Sequence, residues 1–191
     1  MTDLAGQIGG TDPARPRPAP ASIGPAALGP ASTVNLPVVD GARVCEPDRD
    51  QFDFWVGSWR VHSLVGEPVD GRNEICWTLD GKVLWEQFSA GTDPLTGWSF
   101  SVPVPGRGWV QTWVDNTGAY LDFVGGWLGD RMVLERRTAH EIRAQQPAPA
   151  RQRMTWHSIR DNSFVWDWAA QPLYSDDAGW NLMWRLHYDR L

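Results

Sequence analysis

Cysteine, histidine and long apolar runs are all scarce in this chain, and each shortage removes a class of function. The two cysteines, Cys45 and Cys76, stand at no metal-binding spacing, which leaves a reduced, cytoplasmic protein as the expectation. The four histidines show no H-x-H or H-x3-H pattern, so a zinc site is not expected. No apolar stretch approaches the ~20 residues of a membrane-spanning helix. The start of the chain lacks both the basic residues and the apolar run of a secretory signal. Basic charge is in deficit, 17 Lys and Arg against 23 Asp and Glu, which argues against a general nucleic-acid binder. The one local basic stretch, RTAHEIRAQQPAPARQR at 137–153, has no interleaved aromatics and reads as a solvated loop. There is no Ser-His-Asp order, no Gly-rich phosphate loop and no pair of carboxylates at helical spacing. Hydrolase, kinase and dinucleotide redox chemistry are therefore not expected, and no motif calls for a cofactor.

Aromatic residues are also missing, but from one part of the chain. Residues 1–46 hold seven of the 15 prolines and no Phe, Trp or Tyr. Such a segment cannot bury enough apolar surface to offset its ordering entropy, and it reads as a disordered arm. All 13 Trp, six Phe and three Tyr follow it, so residues 47–191 are read as one folded domain.

That domain is written in strands. Aromatic and β-branched residues alternate with polar ones, and Gly, Asp, Asn and Pro punctuate at short intervals. The expected strands are 55–64, 72–79, 83–90, 97–103, 108–115, 119–125, 131–137, 152–159, 163–170 and 179–190. LDGKV and WLGDRM are the sharpest hairpin turns, and 138–151 is the one long loop. PDRDQFDFW leaves room for a single helical turn capped by Asp48. The fold class is all-β, about ten strands in an up-and-down antiparallel β-barrel, because closure removes exposed sheet edges. A two-sheet sandwich is the alternative.

The stretch FWVGSW at 54–59 sets two indoles around a glycine. Alternation puts Trp55, Gly57, Trp59 and Val61 on one face of the first strand. On the last strand Trp184, Leu186, Tyr188 and Arg190 share a face. In a closed barrel these strands are neighbours, which lays Arg190 over the indole of Trp59.

A G-x-W on the first strand with an Arg on the last resembles the calycin superfamily, the lipocalin-like barrels. The resemblance is closer still to a bacterial family known mainly as a domain of unknown function. It rests on FDFWVGSW (52–59), LWEQFSAG (84–91), GWSF (97–100), WVQTWVDNTGAYLDFVGG (109–126), RMVL (131–134), RMTWHS (153–158) and the terminal W…YDR (184–190). It implies a barrel with a ligand-sized cavity and no particular activity. Similar barrels carry lipids and pigments, bind haem as the nitrobindins do, or act as cyclases, isomerases and cofactor-free decarboxylases.

The leading functional reading is a hydrophobic or aromatic small molecule held inside a Trp-lined barrel. Trp109, Gln111 and Trp113 share a face that lines a pocket if the barrel is hollow, with Gln111 as the placed polar group. Trp59, Trp184, Tyr188 and Arg190 complete the expected ligand-binding set. Asp115 precedes the turn NTG and reads as an Asx-turn residue. Glu86 shares a face with Leu84 and Phe88, so inward burial raises its pKa and makes it a general acid or base. A structural alternative pairs it with Arg72 or Arg131. The rival function is a cofactor-independent cyclase or isomerase in the same cavity, with Glu86 or His157 moving protons. A lesser one is haem ligated by His187, although its face-mates Arg185 and Asp189 look solvent-facing. The ladder Phe164, Trp166 and Trp168 reads as core. The sequence leaves a homodimer open.

Overall fold

All ten expected strands form, and they close on themselves. The computed structural model describes residues 36–91, 94–137, 150–172 and 179–191. A hairpin of β1 (Val38–Val39) and β2 (Ala42–Arg43) precedes a 3-10 helix, Arg49–Trp55. Then come β3 (Gly57–Val65), β4 (Asp70–Thr78), β5 (Val83–Ser89), β6 (Thr96–Val104) and β7 (Gly108–Asp115). β8 (Tyr120–Leu128), β9 (Arg131–Arg137), β10 (Ala150–Arg160), β11 (Ser163–Pro172) and β12 (Asn181–Arg190) complete the set. β1 and β2 form a sheet of their own; from β3 on each strand pairs antiparallel with the next, and β12 returns to pair with β3. The result is a closed barrel and not a two-sheet sandwich, so no strand of the meander is left with an unpaired edge. Leu128 pairs with Arg131 across the two-residue turn Gly129-Asp130, where Gly129 adopts φ 64°. The expected loop 138–151 is shorter at its end, since Ala150 and Arg151 belong to β10; residues 138–149, with most of the basic stretch, lie outside the described residues.

The glycine between the two indoles is explained at the closed end. Trp55 ends the 3-10 helix instead of opening the strand, and the amide of Asp50 caps on Asp48 Oδ1 at 3.1 Å. Both Trp55 and Trp59 are buried. The Trp59 indole N–H donates to the Trp55 carbonyl at 2.8 Å, and its ring meets Phe164 edge-on at 4.9 Å. Arg190 pairs with Trp59 in the ladder and sets its guanidinium 4.2 Å from the indole centroid. The same guanidinium donates to the carbonyls of Val56 and Phe54 at 2.9 and 3.2 Å, satisfying the end of the 3-10 helix. Gly57 adopts φ 135°, and a Cβ there would collide with Arg190 Nη1. Only glycine lets the cation cross to the indole.

One expectation is corrected. Residues 36–46, read as part of a disordered arm, are a strap on the outside of the barrel; residues 1–35 lie outside the described residues. Leu36, Val39 and Val44 are buried with Val133 in a small apolar cluster of their own. Met132 and Leu134, the alternate residues of β9, belong to the main core. The Cys45 amide donates to the Trp127 carbonyl at 2.9 Å, and Arg153 bridges Asp40 to Glu135. Arg153 also lies 4.0 Å over the Trp180 ring. Composition alone missed this because a strap needs only three aliphatic side chains, not aromatics. A chain beginning at Asp48 is therefore expected to unfold at a lower denaturant concentration than one beginning at Leu36, because it lacks the three buried aliphatic side chains, the hydrogen bond to the Trp127 carbonyl and the Arg153–Asp40 bridge. Equal denaturation midpoints for the two chains would refute the strap's contribution.

Among the described residues no helix is long and apolar enough to cross a membrane. Cys45 and Cys76 are free and exposed.

Candidate functional site

Above the Trp59 layer the barrel is hollow. A cavity of about 230 Å³ is lined by Glu86, Gln111, Trp113, Trp156, Trp168 and Tyr188, among others. Its two sides differ chemically. Strands β10, β11 and β12 present Trp156, Trp166, Trp168 and Trp184, with the Trp166 and Trp168 rings stacked at 6.2 Å. Strands β4 to β7 carry the buried polar residues Asn73, Glu86, Ser99, Ser101 and Gln111. Register brings these together: Glu86 lies opposite Ser99, and Gln111 opposite Ser101. The Gln111 amide donates to Ser101 Oγ at 2.9 Å.

Glu86 is the chemical centre of this wall. It faces inward with Leu84 and Phe88, as alternation requires, and is only 7% exposed. Asn73 Nδ2 donates to Oε1 at 2.7 Å, and Ser99 Oγ donates to Oε2 at 2.5 Å. Burial pushes the carboxyl up to about 7, against the opposing pull of those two hydrogen bonds. Neither Arg72 nor Arg131 is its partner, so the ion-pair alternative is set aside in favour of neutral donors. Tyr188, across the barrel seam, accepts from Asn73 Nδ2 at 3.4 Å. Its hydroxyl is pushed far up, by burial first and then by the Glu86 charge, and stays protonated. Asn73 Oδ1 and the Trp156 indole nitrogen are buried without a partner.

Asp115 lies at the other end of the cavity from the Trp59 layer, on the last residue of β7. It is the Asx-turn residue expected, accepting from the amides of Thr117 and Ala119. It also accepts from the Trp113 indole at 3.0 Å. Burial works to raise its carboxyl, but these hydrogen bonds outweigh it and hold the group below its ordinary value.

The residues expected in the cavity divide by depth. Glu86, Gln111, Trp113, Trp184 and Tyr188 line it. Trp59 and Arg190 lie below it and seal the end. Trp109 shares the inward face of Gln111 and Trp113 but is corrected to the sealing layer, edge-on to Phe52 at 4.7 Å. Its indole donates to Gln51 Oε1 at 2.9 Å. His157 is corrected to the outer surface. Trp156 takes the inward place on β10, and His157 Nε2 lies 3.3 Å from Asp167 Oδ2, which Arg185 also holds. His187 likewise turns outward, 3.2 Å from Asp189 and beside the His62 ring, so it cannot ligate a group inside the barrel. Among the described residues no cluster of three His, Cys, Asp or Glu is placed to hold a metal.

Sequence reading missed Trp166 and Trp168, assigned to core with Phe164. Only Phe164 is core; it stacks on Tyr188 at 4.3 Å in the sealing layer. It also missed Asn73 and Ser99, whose one signal was an inward polar residue on each strand beside Glu86. No model of a known protein family matches the chain, and no curated protein is significantly similar to it.

Proposed function

We propose that the protein binds a small aromatic or otherwise hydrophobic molecule in the barrel cavity. The observation that carries this is the two-sided cavity: an indole wall from β10 to β12 faces a polar stripe from β5 to β7 that ends in Glu86 and Gln111. Such a site gives apolar contact over most of a ligand and fixes its orientation with a few polar groups. The volume falls below the ~300–1,000 Å³ of sites for drug-sized ligands, so the occupant is compact, on the order of two fused rings. The closed ten-strand barrel and the G-x-W and Arg pair support placing the chain among calycin-like barrels.

The test is a calorimetric titration with 1-naphthalenemethanol, a neutral two-ring probe. Saturable binding at one molecule per chain is expected, weakened about tenfold or more in Leu121→Trp, which fills the cavity from β8. Binding that ignores this substitution would locate the site elsewhere. Native mass spectrometry of the protein purified without refolding identifies any natural occupant by its retained mass.

A second reading, a cofactor-independent cyclase or isomerase, is favoured by one specific observation. A buried carboxyl raised to about 7, facing an indole wall across the cavity, is suited to take a proton from a bound substrate and return it. On this reading Glu86 acts alone as acid and base. Glu86→Gln then abolishes turnover while ligand affinity changes by about tenfold at most. Undiminished turnover would remove Glu86 from the chemistry.

A further inference from the structure

Among the described residues the charges that line the cavity are all of one sign: two carboxylates, Glu86 and Asp115, and no Arg, Lys or His. The arginines near the barrel interior are engaged elsewhere: Arg190 with Trp59 below the cavity, and Arg185 with Asp167 on the outside. Every remaining wall is apolar or a neutral dipole, and five indoles contribute. Indole faces carry negative electrostatic potential and attract cations.

We propose that the cavity selects an arylalkyl amine or related organic cation, whose positive end meets Glu86 and whose ring lies on the Trp166–Trp168 wall. This rests on the small-molecule reading above and names the ligand's class. Three features carry it. An anionic ligand would bring a third negative charge against Glu86 and Asp115, with no compensating cation among the described lining residues, and a buried like-charge contact is strongly unfavourable. A neutral ligand satisfies the apolar walls but offers the Glu86 carboxylate at most an uncharged hydrogen bond beside those from Asn73 and Ser99. A cation does both, because charge-assisted hydrogen bonding and the indole faces act on the same group. Asn73 and Ser99 already donate to the two oxygens of Glu86 and fix the carboxylate plane. Asp115, hydrogen-bonded by Trp113 at the far end of the same cavity, adds to the attractive field without contacting the same ligand atom.

The experiment is a calorimetric comparison at pH 7.5 of three probes with one ring system and different charge: 1-naphthylmethylamine, 1-naphthalenemethanol and 1-naphthoate. The amine is expected to bind about tenfold or more tightly than the alcohol, and 1-naphthoate most weakly. In Glu86→Gln the preference for amine over alcohol is expected to collapse to about threefold or less. The order of the three probes on the unmodified protein decides the matter even where that variant does not fold. Equal or tighter binding of 1-naphthoate, or an amine no tighter than the alcohol, overturns the cation proposal while leaving a small-molecule cavity intact. An amine preference that survives Glu86→Gln also overturns it. Failure of all three probes to bind overturns both the proposal and the reading beneath it.

Discussion

Trp59→Ala is expected to destabilise the protein by about 3–5 kcal/mol, the upper range for a large side chain removed from a core. The ring is fully buried and sits where β3, β12 and the 3-10 helix meet. Its loss opens a void beneath the cavity, against Phe164 and Tyr188. It also strands the buried Trp55 carbonyl, which accepts from its N–H at 2.8 Å. Arg190 loses the indole it lies over but keeps its carbonyl partners at Val56 and Phe54. Equilibrium unfolding in guanidinium checks this directly. A cost under about 1 kcal/mol would mean that the ring does not plug the barrel.

Glu86 is expected to make the protein less stable as pH rises from 4.5 to about 7. Burial raises its folded-state carboxyl above the ordinary value, so across that window the folded chain keeps a proton that the unfolded chain has released. Raising the pH then favours the unfolded chain. The loss levels off above about 7 at roughly 3 kcal/mol. Tyr188 stays protonated throughout and adds no slope. Asp40, Asp115 and Asp167 act in the opposite sense, because each is held below the ordinary 3.8. Their contribution is present above that value and is lost as pH falls below it. Glu86→Gln isolates the one group: it cannot ionise, and it fills the same space between Asn73 and Ser99. The variant is expected to match the parent near pH 4 and to exceed it by about 1–3 kcal/mol at pH 8. Parallel stability profiles from pH 4 to 8 would show that the carboxyl is solvated and not part of the cavity wall.

Much of the scaffold was legible in the chain, because strand alternation is a local property. The period of two grouped Gln111 with Trp113 and Glu86 with Leu84 and Phe88, leaving open which face turned inward, and it placed His187 among outward-facing neighbours. The G-x-W and the distant Arg190 gave the closure, since a barrel leaves its first and last strands only each other to pair with. The same alternation could not choose a face where both looked mixed. His157 was such a case: Trp156 beside it took the interior, as the larger apolar side chain.

Depth along the barrel axis was decided only by the tertiary structure. Trp109, Gln111 and Trp113 share one face, yet the first seals the barrel, the second lines the cavity wall and the third stands near Asp115 at the far end. Phe164, Trp166 and Trp168 divide in the same way. Depth depends on the stagger between paired strands, which is fixed by contacts among residues far apart in sequence and leaves no trace in the spacing along one strand. That stagger brought Asn73 and Ser99 to Glu86 and set Glu86 and Asp115 as the charged groups among the described lining residues. Periodicity sorted the residues of each strand onto two faces; packing and the register of ten strands determined which face turns inward and what its residues meet.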